Sequence, residues 1–268
     1  MLIKRLITAL IIAPIAVFGI LMLNQNDFAI ALSIILIVGS FEYCNLIKIT
    51  TLIGRLVYTF LILAAAYAIS KDSLMMPFVL YASAIWWLAA LGLVLRFPKG
   101  ADLLNTSLFV KLINGFFLFV PMAGSLIALH LQDPQLVLFL VGLIWAADIG
   151  AYFAGRFFGK NKLCPGVSPG KTREGLYGGI FLSQIVALLY VFTSIESLPE
   201  NAFLMFGFLA LVVSLVSVLG DLFESVLKRI AGVKDSGKIL PGHGGVLDRI
   251  DSLTSSAPIF FILFMFLI

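Results

Sequence analysis

The sequence is poor in charged residues and in cysteine. Asp, Glu, Lys and Arg make up 12% of its 268 residues, whereas an average soluble domain has about 25%. Hydrophobic residues make up 61%, and such a chain folded in water would expose large apolar patches and aggregate. The two cysteines, Cys44 and Cys164, are too few for a disulfide framework and lack metal-binding spacing. These shortages exclude a soluble globular enzyme, a disordered chain and a disulfide-stabilised scaffold.

The sequence contains long apolar runs instead, and a membrane span needs about 20 mainly apolar residues. It therefore predicts an all-α polytopic integral membrane protein with about nine transmembrane helices. No small-residue cleavage site follows the first run, so we expect a retained helix and not a signal peptide. The predicted spans are residues 6–24, 28–47, 56–70, 73–95, 112–132, 135–155, 176–195, 201–220 and 252–268, the second carrying Glu42 near its inner end.

The basic residues predict the orientation of these spans. If the N-terminus is inside, every Lys and Arg except Lys71 falls on the inner side. Cytoplasmic loops are enriched in Lys and Arg, so the pattern favours an inner N-terminus, an outer C-terminus and an odd number of spans. The outer loops carry acidic residues: Asp27, Asp72, Asp133, Glu196 and Glu200.

Two inner segments, residues 148–174 and 221–251, hold 17 of the 32 charged residues. Two solvated loops would also explain this number, but the polar residues are regularly spaced. Asp148, Tyr152 and Arg156 are four residues apart and would share one face of a helix. An acidic residue inside a span is costly and normally faces a polar cavity or a partner. We expect either a stripe that packs helices together or the polar wall of a site open to the cytoplasm.

The second segment has a similar helical spacing. Asp221, placed at the end of the eighth span, is followed by Glu224, Ser225 and Lys228 at steps of three or four residues. A surface ladder of ion pairs would have the same spacing. The run 241–245, Pro-Gly-His-Gly-Gly, predicts an irregular loop whose backbone amides can approach an anionic ligand.

Asp248 and Asp251 follow this loop at the start of the last helix, where Asp is also a good capping residue. Separated aspartates beside basic residues and a glycine-rich turn suit a magnesium-bound polyphosphate. A transition-metal site is not expected, because His130 and His243 fall on opposite sides of the membrane in this topology.

Residues 166–172, Gly-Val-Ser-Pro-Gly-Lys-Thr, look like a P-loop. A P-loop has about four residues between its glycines and follows a strand, whereas this segment has three and runs into a membrane helix. We therefore exclude a Walker motif. Lys171 and Arg173 could still bind phosphate, or Ser168 and Pro169 could begin a short capping turn.

The residues after the eighth span carry a resemblance to a known family. The run SVLKRIAGVKDSGKILPGHGGVLDRID, residues 225–251, resembles the signature of the phosphatidate cytidylyltransferase (CDP-diacylglycerol synthase) family. Residues 148–160 and 168–175 resemble other recurrent segments of that family, whereas the first 110 residues resemble it only in hydropathy. We therefore divide the chain into N-terminal transmembrane helices, 1–110, and a catalytic transmembrane core, 111–268, with cytoplasmic loops 156–175 and 221–251.

The resemblance implies an Mg²⁺-dependent nucleotidyltransferase that converts CTP and phosphatidate to CDP-diacylglycerol and pyrophosphate in phospholipid biosynthesis, with room for a second cation. Carried over by position, the metal ligands are Asp221 and Asp248, with Asp251 and Glu224 as further candidates. Lys228 and Arg229 join the two aspartates as catalytic residues. The implied substrate-binding residues are Asp148, Arg156, Lys171, Arg173, Ser225, Lys234, His243, Gly244, Gly245 and Arg249.

The resemblance also implies a location and partners. The protein is expected in the bacterial cytoplasmic (inner) membrane, with its active site facing the cytoplasm. The expected partners are CTP, phosphatidate, the bilayer and, since family members are often dimeric, a second copy of the chain; nucleic acid is not expected.

Two other functions compete with this one. A secondary transporter would use Asp148 to bind a coupling ion, but transporter sites lie near the bilayer midplane and often come from repeated halves. Here the charge lies at the inner helix ends and no repeat is visible. A CTP-dependent kinase of a lipid alcohol would need a general base for the attacking hydroxyl.

Overall fold

The computed structural model describes residues 2–193, 201–240, 242 and 244–267, which form ten helices and one two-stranded hairpin. The strands are β1, Lys162–Cys164, and β2, Ser168–Thr172, and they pair antiparallel. The helices are α1 Leu2–Met22, α2 Gln25–Leu46, α3 Leu52–Lys71, α4 Met75–Leu95, α5 Ala101–Asn105, α6 Leu108–Gln132, α7 Pro134–Phe158, α8 Arg173–Thr193, α9 Ala202–Ala231 and α10 Leu247–Leu267.

The described helices confirm the predicted class of an all-α polytopic membrane protein. Eight of them are long and apolar enough to cross a membrane, and α1 contains a shorter apolar segment, Leu10–Met22. The third predicted span was too short, because α3 begins four residues earlier, at Leu52, where Thr51 caps it. Helix α6 is the most deeply buried of the spans and packs against α2, α3, α7 and α10.

Helix α9 continues beyond the point where its apolar sequence stops. Its 30 residues extend to Ala231, so the helix itself continues past Gly220, where the eighth span is predicted to end. The polar residues after Gly220 alternate with apolar residues that are buried, so this part of the helix packs on one side. Gly232 ends the helix in a left-handed conformation, with φ of 75°.

The hairpin lies where the sequence predicted either a phosphate-binding segment or a capping turn. Ser168 begins strand β2, so its prediction as a cap was wrong. Thr172 takes that role, because its Oγ1 accepts a hydrogen bond from the Gly175 N–H at 3.1 Å. Glu174 holds the preceding chain by accepting hydrogen bonds from the backbone N–H groups of Lys160 and Asn161.

Close backbone packing joins α7 to α8. A side chain at Gly150 would overlap the carbonyl oxygen of Gly178, and one at Gly178 would overlap Ala154. Helix α8 also packs against α9, which in turn packs against α10. This arrangement brings the polar ends of α7 and α9 together beside the hairpin.

Candidate active site

A cavity of about 390 Å³ lies between α7, α8, α9 and the hairpin. Its polar walls are formed by Asp148, Tyr152 and Arg156 from α7, Lys171 from β2, and Asp221 from α9. The three α7 residues therefore line a cavity together, as their four-residue spacing predicted, and do not form a stripe buried between helices. The remaining lining is small or apolar: Ala151, Gly155, Leu163, Gly170, Thr172, Gly175, Leu176 and Val218.

The charged residues of this cavity, here called the cavity cluster, are Asp148, Arg156, Lys171 and Asp221. The Lys171 ammonium lies 2.6 Å from Oδ2 of Asp221. Ser225 donates to Oδ1 of the same carboxylate at 3.4 Å. Arg156 donates from Nη1 to the Tyr152 hydroxyl at 2.8 Å. The cluster thus presents two cations and two carboxylates to a space open to small polar molecules.

A second polar group, here called the buried network, consists of Glu224, Lys228, Ser236 and Asp248. The Lys228 ammonium contacts Oε2 of Glu224 at 2.8 Å and Oδ1 of Asp248 at 2.6 Å. Oδ2 of Asp248 accepts hydrogen bonds from the Ser236 N–H and hydroxyl, both at 2.9 Å, and from the Gly245 N–H at 2.8 Å. Both Asp248 oxygens are therefore occupied by donors of the protein.

The glycine-rich loop contacts the protein's own carboxylates. Its backbone amides were expected to approach an anionic ligand, but the Gly245 N–H is donated to Asp248. Gly244 adopts φ of 80°, and a side chain there would contact Oδ2 of the same aspartate. The predicted contacts of Gly244 and Gly245 with substrate stay predictions, while His243 lies outside the described residues.

The other predicted basic residues lie around the two clusters. Arg229 is exposed and donates from Nε to the carbonyl of Val167, in the turn of the hairpin, at 3.3 Å. Glu224, an acidic residue of the same helix, is paired with Lys228. Arg249 is exposed and interacts electrostatically with Asp148. Lys234 is exposed in the loop after α9, and Arg173 is exposed at the first residue of α8.

The carboxylates of this region suit a Mg²⁺ ion that takes most of its ligands from the substrate and from water. Among the described residues, no three His, Cys, Asp or Glu side chains form a ready ligand set. Mg²⁺ usually needs about one or two protein carboxylates, with phosphate and water completing its shell. Asp251 interacts electrostatically with Asp221 and Glu224, and Oε1 of Glu224 is buried without a hydrogen-bond partner in the described residues. Asp248, held by Lys228 and backbone amides, is less free to serve as a ligand.

Two residues at the buried network, one a member and one a neighbour, were not predicted from the sequence as parts of the site. Ser236 links the loop to Asp248, and Glu42 of α2 accepts a hydrogen bond from the Leu247 N–H at 2.8 Å. One signal was available, because a carboxylate inside an apolar span normally has a polar partner. The partner itself could not be read from the sequence, since it lies 205 residues away.

Comparison with known proteins gives consistent matches along the whole chain. The profile of the cytidylyltransferase family matches residues 3–267. A Haemophilus influenzae protein named phosphatidate cytidylyltransferase is 35% identical over 291 residues, covering 100% of both chains. A Pseudomonas aeruginosa protein of the same name is 38% identical over 263 residues, 97% of this chain and 96% of its own. A Staphylococcus aureus protein of that name is 46% identical over 127 residues, 47% of this chain and 48% of its own.

Proposed function

This chain belongs to the cytidylyltransferase family, and we propose that it converts CTP and phosphatidate to CDP-diacylglycerol and pyrophosphate. The observation that carries the proposal is full-length similarity to two proteins named for this activity. The cavity cluster supports it, because a reaction between two polyanions requires cationic side chains at a place that both can reach. The eight apolar helices would hold this cavity at the membrane, where a lipid substrate lies.

The reaction needs no general base from the protein. The attacking group is the phosphate monoester of phosphatidate, which is largely dianionic near neutral pH since the second pKa of a phosphate monoester is about 6. It attacks the α-phosphorus of CTP, and pyrophosphate leaves in line. The protein's main work is to hold both phosphates together and to stabilise the developing charge.

Lys171 and Arg156 are the cations that meet substrate phosphates in this proposal. Both line the cavity, and within the described residues the Arg156 guanidinium has no carboxylate partner and donates to the uncharged Tyr152 hydroxyl. Lys171 is paired with Asp221 in the structure. When substrate enters, Lys171 moves its ammonium from the carboxylate to a phosphate oxygen, which leaves Asp221 available.

Asp221 would then hold Mg²⁺, with Asp251 and Glu224 as further candidate ligands and with room for a second cation. When bound, the ion neutralises phosphate charge and polarises the phosphoryl group under attack. Asp248 keeps Lys228 in place beside this site through their 2.6 Å contact.

Transfer of label from CTP tests the reaction. Purified protein is incubated with phosphatidate, Mg²⁺ and CTP labelled at the α-phosphate, and the lipid fraction is counted. We expect label in the lipid and pyrophosphate in the aqueous phase. A parallel incubation supplies a lipid alcohol and CTP labelled at the γ-phosphate. Label that enters lipid only in this second incubation would indicate a kinase, and no transfer in either would favour a transporter. Size measurement of the active protein in detergent tests the expected homodimer.

We place the site at the cytoplasmic face of a bacterial inner membrane. The support is the concentration of Lys and Arg on one side of the predicted spans. A reporter fused after Lys162, in the hairpin, should read as cytoplasmic, and one fused after Ile268 should read as external. If both read on the same side, the assignment of α8 to α10 as three crossings is wrong.

A further inference from the structure

One buried carboxylate, that of Glu42, is distant in sequence from both charged segments, residues 148–174 and 221–251. Glu42 sits in the last turn of α2 and is 3% exposed. Its Oε2 atom accepts a hydrogen bond from the Leu247 N–H at 2.8 Å and lies 3.3 Å from the Ser236 hydroxyl, whose single proton is shared between Glu42 and Asp248. Its Oε1 atom is buried without a hydrogen-bond partner in the described residues. An N-terminal helix therefore contributes an acidic group to the loop between α9 and α10.

The loop is shaped around this carboxylate. A side chain at Gly237 would overlap Oε1 of Glu42, and one at Gly245 would overlap Oε2 and the Ser236 hydroxyl. Glycine is needed at these two positions because the carboxylate occupies the space of a side chain. Glu42 also lies at the N-terminus of α10, where a negative charge interacts favourably with the exposed N–H groups of the first turn.

A short chain of contacts connects Glu42 to the buried network. The Ser236 hydroxyl lies within hydrogen-bonding distance of Oε2 of Glu42 and of Oδ2 of Asp248. Asp248 in turn contacts Lys228 through Oδ1 at 2.6 Å. Glu42 is not among the residues that line the cavity. Its influence on the site must therefore pass through Ser236 and the loop.

We propose that Glu42 is a positioning residue for nucleotidyl transfer, which fixes Ser236, Gly237 and Gly245 and, through Ser236, the orientation of Asp248 and Lys228. The expected effect of Glu42 on turnover rests on the proposed function. Its expected effect on the loop does not. The two parts are therefore measured separately, one by amide hydrogen exchange without substrate and one by kinetics.

Glu42→Leu keeps the volume of the side chain and removes its acceptors. In the substrate-free protein, the peptide that contains Gly245 and Leu247 should exchange about tenfold faster or more, the size expected when hydrogen bonds that close a loop are lost. Peptides from α7 and α8 should exchange as in the wild type. The matched control is Ser40→Ala, which removes another buried polar group of α2, bonded to Thr59, and should leave the loop unchanged.

The kinetic readout is kcat and KM for CTP per folded enzyme. Glu42→Leu should lower kcat by about tenfold or more, whereas Ser40→Ala should not change it. Glu42→Gln retains an acceptor for both donors and should recover kcat to within about threefold of the wild type. Unchanged loop exchange in Glu42→Leu, or normal turnover of the folded variant, would overturn the proposal, as would a Gln variant no better than the Leu variant.

A double-mutant cycle tests the route through Ser236. If both residues act through one contact, Glu42→Leu combined with Ser236→Ala should cost less than the product of the two single losses in kcat. Multiplicative losses would show independent actions and contradict the proposal. Should Glu42→Leu fail to fold, Ser236→Ala alone carries the test. It should speed exchange of the peptide with Gly245 and Leu247 and lower kcat, and no change in either would contradict the proposal. If the wild type transfers no nucleotidyl group, the proposed function is refuted. The amide hydrogen exchange results would still show whether Glu42 stabilises the loop.

Discussion

In the cavity cluster the side chains of Lys171 and Asp221 are 24% and 33% exposed, whereas in the buried network those of Lys228 and Asp248 are 13% and 6% exposed. The two pairs have the same separation of 2.6 Å but different surroundings. Asp248 has backbone and hydroxyl donors on its other oxygen, while Asp221 has one long contact from Ser225. An ion pair that faces a cavity can exchange its partner for a ligand, and one enclosed by further hydrogen bonds holds structure.

The largest difference between the clusters should appear when the cavity pair is broken. Lys171→Met and Asp221→Asn should each lower turnover by about 100-fold or more, since each removes a charge that stabilises the transition state. Their melting temperatures in detergent should stay close to that of the wild type, because exposed ion pairs contribute little to stability. Lys99→Met, at an exposed base outside the cavity, is the control and should remain active. Normal turnover at saturating Mg²⁺ in either cavity variant would remove that residue from the site.

Breaking the buried pair should affect stability and activity together. Asp248→Asn leaves the Lys228 ammonium with Glu224 alone, and removal of one partner of a buried ion pair costs about 3 kcal/mol. We expect a clear fall in melting temperature and a loss of turnover of about tenfold per folded molecule. Thermal melting and kinetics on the same preparation check this. A variant that loses activity at an unchanged melting temperature would place Asp248 with the cavity cluster instead.

The smallest effect is expected at Arg229, which lies beside both clusters. Its Nε donates to the Val167 carbonyl, and a planar guanidinium can do this while presenting its terminal nitrogens to phosphate. Lysine has a single ammonium, so Arg229→Lys should lower kcat/KM for CTP by about threefold to tenfold. Lys99→Arg should change little. Wild-type kinetics in Arg229→Lys would leave this residue as a support of the hairpin and move the phosphate contacts to its neighbours.

The sequence predicted the helices and one face of the cavity because both follow from local patterns. Apolar runs define the spans, and a four-residue spacing places Asp148, Tyr152 and Arg156 on one face of α7. The hairpin was not predicted, because its strands have three and five residues and no alternation of apolar and polar side chains. The pairing of Lys171 with Asp221 was missed for the same reason, since it depends on where the hairpin lies.

Contacts between distant parts of the chain were also beyond prediction. The Glu42 carboxylate meets Ser236 across 194 residues of sequence, and nothing local indicates such a partner. The full length of α9 was not evident from hydropathy, which falls at Asp221, although apolar residues continue on the buried side of the helix. The glycine-rich run predicts a phosphate-binding loop, which stays a prediction, but it did not indicate that Gly237, Gly244 and Gly245 leave room for two internal carboxylates.

Glu42 packs closely against Gly237 and Gly245, which limits the side chains that relatives can carry at these three positions. Positions 42, 237 and 245 share one volume, so their side chains are not free to change independently. A relative with a shorter residue at the first position has room for a methyl group at one of the other two. Substitutions at these three positions should therefore occur together across the family, as a correlated set that spans the N-terminal and C-terminal parts of the chain.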